Sequence, residues 1–202
     1  AIIGKLLKIP VVVTAHAGDV FPLNNALFRL LSSFAAKSAA VITVNSSFTK
    51  SAVAKISNLT GIKVIPMGVD MKIFSSASSF AAAAIRKKFG ITGKSGKIIL
   101  FVGRLAEKKG VTYLIAAMKD VVKRFPGCKL VVVGEGPEKA FLVRQSQQLG
   151  LSSAVVFVGS VPNIELPAFY RAADVFVLPS IVDSNGDTEG LGVVLLEAIA
   201  AG

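Results

Sequence analysis

The chain has 202 residues, 52% of them hydrophobic and 17% charged, which excludes a disordered protein and suits one large domain or two small ones at ~150 residues per domain. Its formal net charge of +11 is uneven: the first 101 residues carry 13 Lys/Arg against 2 Asp/Glu, and the last 101 carry 10 of each. The single Cys128 and single His16 exclude an internal disulfide and any Cys- or His-rich metal centre, and fit a reducing, cytoplasmic compartment.

The opening AIIGKLLKIPVV lacks an initiator Met and reads as the tail of a helix, not as a signal peptide. Lys5, Lys8, Pro10 and Glu197 interrupt the longest apolar runs, so none reaches the ~18 residues of a membrane span. PVVVTAH (10–16) then predicts a strand, 24–38 a helix, AVITV (40–44) a strand, 46–57 a helix capped by Ser46, and KVIPMG (63–68) a strand. The span 69–96, with SSASS, a run of alanines and the turn-forming GITGKSGK, reads as a linker.

From residue 97 two periods alternate. KIILFVG (97–103) is a wholly apolar run ending in Gly, the pattern of a strand buried on both faces. Val111, Leu114, Ile115, Met118, Val121, Val122 and Phe125 follow at helical spacing, and Pro126-Gly127 stops that helix. Strand 129–134, helix 137–149, strand 154–159, helix 164–173 and strand 174–179 repeat the cycle, before a polar loop and a helix opening near Gly192. This alternation predicts an α/β fold of doubly wound parallel sheets in two domains, 1–68 and 97–202. The first half has few strands to close such a domain, and AIAAG stops where another strand is due, so both domains are expected to be incomplete.

Several motifs are set aside. GEGPEK (134–139) follows a strand, but Lys139 stands at the third glycine of a dinucleotide fingerprint and no acidic residue ends the next strand. TGKSG (92–96) precedes a strand, and Lys88 occupies the position of the phosphate loop's first glycine. The sequons NSS (45–47) and NLT (58–60) never meet the glycosylation machinery in a cytosolic chain. Lysines spread singly, with only Arg86, Lys87 and Lys88 adjoining, argue for a basic face toward an anionic membrane or acidic substrate rather than nucleic acid.

The chemistry-bearing residues gather at the carboxyl ends of the second-half strands, where open α/β sheets bind ligands. Arg104 directly follows the strand glycine Gly103, and Lys109 comes five residues later; the two cations can converge on a diphosphate or stand as solvated surface charges. Glu189 precedes a helix start and Glu197 lies eight residues on, in an apolar run where a carboxylate needs either a partner or an exposed position. Gly190 and Gly192 bare backbone N–H groups near that helix start.

GRLAEKKG, GEGP, FVGSVPNIELPAFYRAADVFVLPS and EGLGVVLLEA, in this order and spacing, resemble the retaining GT-B-type glycosyltransferases of group 1. VVVTAHAGD, VITVNSSFTK and VIPMGVDMKIF resemble segments of the same family's N-terminal domain, so the likeness covers nearly the whole chain. Two positions depart from the family pattern: Met67 replaces the usual Asn, and Gly192 stands where many relatives have Pro or Phe.

The resemblance implies a GT-B-like fold of two Rossmann-like domains, acceptor-side then nucleotide-sugar-binding. It implies transfer of a sugar from a nucleoside-diphosphate sugar to a glycan, lipid or small-molecule acceptor with retained configuration, as in cell-envelope polysaccharide biosynthesis. Arg104 and Lys109 would bind the diphosphate, Glu189 the donor sugar, and Glu197 the ribose. Backbone at Gly103, Gly190, Leu191 and Gly192 would meet phosphate or sugar, and backbone around Val161 the base. His16 would face the transferred sugar from the N-terminal domain, although by its residues alone it reads equally as a strand-end histidine. No cofactor and no obligatory metal are expected. The expected partners are the donor, an unidentified acceptor and an anionic membrane surface. A non-catalytic nucleotide-sugar-binding fragment and a sugar-nucleotide epimerase on a similar scaffold remain as alternatives.

Overall fold

The computed structural model describes residues 2–16, 26–57, 61–91 and 96–202. These form two compact units, Ala1–Met67 with Val182–Leu191, and Gly68–Ile181 with Gly192–Gly202. The NLT sequon and the Thr92–Ser95 part of the phosphate-loop-like turn lie outside the described residues.

In the first unit, α1 (Ile2–Leu6), β1 (Val12–Ala15), α2 (Ala26–Lys37), β2 (Val41–Val44), α3 (Ser47–Ser57) and β3 (Ile62–Val64) alternate. The strands pair in parallel in the order β1-β2-β3. Ile42, Val44, Val53 and Ile62 form its small core. Ser46 caps α3 as expected, accepting from Thr49 N at 3.1 Å, while the buried Thr49 hydroxyl donates to Asn45 Oδ1.

The second unit continues with α4 (Met71–Ser75), α5 (Ser79–Lys88), β4 (Ile98–Val102), a 3₁₀ turn (Glu107–Lys109), α6 (Val111–Arg124), β5 (Lys129–Val133), α7 (Lys139–Gln148), β6 (Val155–Gly159), α8 (Leu166–Ala172), β7 (Val175–Phe176) and α9 (Val193–Ala201). Its parallel sheet runs β6-β5-β4-β7. The strand order reverses direction at the β4–β7 pair, the topological switch point of a Rossmann-like sheet. Leu100, Phe101, Leu130 and Val132 are fully buried, and two apolar clusters sandwich the sheet. One cluster includes Cys128, whose thiol pKa is pushed up by burial, with the Asp174 charge adding to it. Among the described residues no helix is long and apolar enough to cross a membrane.

Two expectations about domain limits change. The supposed linker 69–96 carries two capped helices of the second unit. Asp70 accepts from Lys72 N and Ile73 N to open α4, and Ser78 accepts from Ala81 N to open α5. Phe74 and Ile91 are buried, and α5 packs along α8. The alanine and serine content masked an apolar face. The second domain is also not one uninterrupted stretch 97–202, because 182–191 groups with the first unit.

Asp174 ties this unit together. Its carboxylate accepts from Arg86 of α5 and from Lys97 at 2.9 Å each, and from Ile98 N at 2.8 Å; Arg86 also donates to Ala172 O and Gly96 O. Burial opposes ionisation of Asp174, but these hydrogen bonds and the Arg86 charge outweigh it and hold the carboxyl below its ordinary range. A carboxyl lowered on folding stabilises fully above its unfolded pKa of ~3.9, and this is lost as pH falls through the lower folded value. Asp174→Asn is therefore expected to cost ~1–2 kcal/mol at pH 7, discounted for its solvent exposure, and progressively less as pH falls below ~3.9, measured by urea unfolding across that range.

Candidate functional site

The site is built where β4, β5 and β6 end. Beyond the sheet the strands stay zipped: Gly103 N donates to Val133 O, Gly134 N to Gly159 O, and Leu105 N to Glu135 O, at 2.8–3.0 Å. Glu138 N returns a bond to Leu105 O, and Leu105 itself is fully buried. Gly134, at φ +134°, lies so close to Gly103 that a Cβ there would stand 2.0 Å from the Gly103 carbonyl oxygen. This contact lets the two chain segments run side by side and leaves an open cleft of about 270 Å³. Val102, Gly103, Arg104, Gly134, Ser160 and Val161 are among the residues lining it.

Arg104 is held between the hydrogen-bonded Gly103 and the buried Leu105, so its exposed side chain starts from a fixed backbone. Lys109 ends the 3₁₀ turn, and its Cε lies 4.0 Å from where a Gly103 Cβ would be. The turn is anchored to the segment after β7. Ile181 N donates to Lys108 O at 2.9 Å, and Gly110, at φ +66°, approaches Pro179 O so closely that a Cβ would meet it at 2.0 Å. The neighbouring Ser180 Oγ is the one buried side-chain oxygen without a hydrogen-bond partner among the described residues.

Glu197 lies on α9, half-buried, and its Oε2 accepts a 2.6 Å hydrogen bond from the hydroxyl of Tyr170 on α8. Of the two alternatives for this carboxylate, the structure shows the partnered one. Tyr170 belongs to the same apolar cluster as Val102 and Val133, which also line the cleft. Burial first, then the bond to Glu197 and its charge, push the Tyr170 pKa far above the usual phenol range. Nothing in the sequence singles out Tyr170, because its hydroxyl's partner lies 27 residues away on another helix.

Gly103, Arg104 and Val161 are thus brought together in the cleft, with the Lys109 stem beside Gly103. Gly192 is buried as the N-cap of α9 against Leu178. Glu189, Gly190 and Leu191 lie in the loop that groups with the first unit, as does His16, exposed directly after β1. Among the described residues no group of three or more His, Cys, Asp or Glu side chains is placed to hold a metal ion.

Comparison with known proteins gives the family and the fold. The family model for glycosyl transferases group 1 matches residues 82–202, and the chain belongs to that family. It is 35% identical over 164 residues to a GDP-mannose-dependent alpha-(1-6)-phosphatidylinositol monomannoside mannosyltransferase of Mycolicibacterium smegmatis, a match covering 80% of this chain and 42% of the relative. It is 29% identical to a 2-deoxystreptamine glucosyltransferase of Streptomyces kanamyceticus, over 98% of this chain and 52% of that protein. The chain thus spans about half the length, or less, of these relatives. The structure of Anabaena HepE, solved in complex with UDP and glucose, superposes with a TM-score of 0.82 at 21% identity, over 99% of this chain and 53% of that one. The fold is accordingly α/β and GT-B-like, with Rossmann-like parallel sheets.

The Gly134 contact can be tested directly. Gly134→Ala is expected to destabilise the protein by about 3 kcal/mol, because the methyl collides with backbone that cannot give way. Gly150→Ala, with φ +70° but open space around the Cβ, should cost only ~1–2 kcal/mol. Denaturant melts of the two variants separate close approach from backbone conformation.

Proposed function

We propose that the protein transfers a sugar from a nucleoside-diphosphate sugar to an acceptor hydroxyl with retained anomeric configuration. The observation carrying this reading is the cleft itself, where Arg104 stands on pinned backbone at the strand ends with the Lys109 stem beside Gly103. Cleaving the anomeric bond develops negative charge on the departing diphosphate. Cations already fixed there stabilise the transition state more than the ground state.

In this reading Arg104 forks across phosphate oxygens and Lys109 adds a point charge. Backbone at Val161 borders the base, and Glu197 receives the ribose hydroxyls. Backbone N–H groups at Gly190, Leu191 and Gly192 serve the sugar or phosphate. Glu189 and His16 are assigned to the transferred sugar on the family resemblance. The acceptor oxygen bonds to the anomeric carbon on the face that the diphosphate leaves, and its proton passes to the leaving phosphate oxygen. The chemistry is written with no cofactor, the nucleotide sugar being a substrate.

Arg104→Ala and Lys109→Ala are each expected to cut turnover about 100-fold and to weaken free nucleoside diphosphate. Glu189→Ala should cut turnover while leaving that affinity nearly intact. Near-wild-type turnover in both cation variants overturns the diphosphate assignment. Anomer analysis of the product by NMR tests retention, and an epimerised nucleotide sugar, or binding without turnover, overturns the transfer itself.

The reading extends to the basic first half, whose charge suits a cytoplasmic protein meeting an anionic membrane from its inner face. The relative named for phosphatidylinositol monomannoside adds support. Binding to vesicles with anionic lipid should fall steeply as salt rises, since screening acts within ~8 Å at physiological ionic strength. Equal binding to neutral vesicles overturns the membrane contact.

A further inference from the structure

We propose that Tyr170 is a positioning residue for nucleotide recognition: its hydroxyl holds one oxygen of the Glu197 carboxylate and so turns the other toward the ribose hydroxyls of the donor. This rests on the reading of Glu197 as the ribose ligand and adds the group that orients it.

Tyr170 is only 6% exposed. Its ring is gripped by Phe74, edge-on with centroids 5.9 Å apart, and by Phe176 at 5.5 Å. A tyrosine hydroxyl in such a cluster must find an acceptor, and a carboxylate in the run VVLLEAIA must find a donor. The 2.6 Å bond satisfies both. Burial first, then the bond to Glu197 and its charge, favour the protonated phenol, so Tyr170 is the donor of this pair.

The geometry has a consequence for binding. A glutamate on a helix surface samples several rotamers, and a ligand that must order it loses affinity. A ring fixed by two aromatic neighbours cannot follow a moving carboxylate, so the carboxylate is confined instead. An ionised carboxylate has about four lone-pair sites, and one hydrogen bond to Oε2 leaves Oε1 able to accept from a diol.

The test is calorimetric titration with UDP, GDP and ADP and with their 2′,3′-dideoxy forms, following the diphosphate that binds tightest. The wild type should prefer the ribo form by about tenfold or more, and Glu197→Ala should abolish the preference. Tyr170→Phe keeps the ring and should weaken the ribo form about tenfold while leaving the dideoxy form unchanged, and Tyr170→Phe combined with Glu197→Ala should bind as Glu197→Ala alone does. Should Tyr170→Phe fail to fold, Glu197→Gln replaces it. With its amide oxygen accepting from Tyr170 it turns an NH2, which cannot accept from the diol, toward the ribose, and it should lose most of the ribo preference.

If Glu197→Ala retains the preference, the ribose assignment fails and the proposal falls with it. If Glu197→Ala loses the preference while Tyr170→Phe keeps it, or weakens both ligand forms equally, the ribose assignment stands and Tyr170 merely joins α8 to α9. A Glu197→Gln variant that keeps the full ribo preference also overturns the proposal, since its one acceptor oxygen would then face the ribose and not Tyr170.

Discussion

Two glycine backbones meet where β4 and β5 leave their sheet, and the candidate site depends on that meeting. At Gly134 any side chain would overlap the Gly103 carbonyl, and Gly136 is confined in the same way, its Cβ position standing 2.3 Å from Leu105 O. Without side chains there, the hydrogen-bond ladder of the sheet continues past the strands into the loops. The loop bearing Arg104 therefore inherits the rigidity of the core. A cation that must meet developing charge gains most when its backbone is fixed beforehand, because nothing has to reorganise as the charge appears.

The sheet beneath is itself held at its opposite end by Asp174. This carboxylate gathers Arg86 from α5, Lys97 and the first amide of β4, so one partly buried anion joins a helix to the start of the central strand. Three donors around one carboxylate compensate its desolvation, the condition under which a partly buried charge is tolerated. Asp174 lies just before β7, a strand of two residues that pairs with β4 at Ile99 and Leu100. That pairing forms the switch point, and the segment after β7 returns to clamp the 3₁₀ turn of Lys109 through Ile181. Arg104 and Lys109 thus answer to two different restraints, one through β5 and one through β7.

Tyr170 and Glu197 show how one contact can serve stability and recognition together. Each alone would be a buried or half-buried polar group in apolar surroundings, and together they satisfy one another. The apolar cluster that receives Tyr170 also contains Val102 and Val133 from the cleft's lining. The aromatic packing of the core and the shape of the cleft are therefore two faces of the same side chains.

Much of this protein was legible from residue order alone. Strands buried on both faces announce themselves as short apolar runs, so IILFV, LVVV and VVFVG could be placed almost to the residue. Glycines after such runs mark strand ends, and Arg104 and Lys109 followed from their distance to one of them. What local pattern could not supply was anything decided by a distant partner. The helices in 71–88 owe their place to Phe74 and Ile85 finding a core on other elements, and alanine-rich helices carry little signal without one. The loop 182–191 is a continuous stretch of the second half in sequence, but it groups with the first unit because tertiary contacts, not chain order, define a compact body. Tyr170 carries no local signal for its role, which arises only where the fold sets its hydroxyl against a carboxylate 27 residues away. Periodicity records which face of an element is buried; which groups meet across that burial is set by the packing alone.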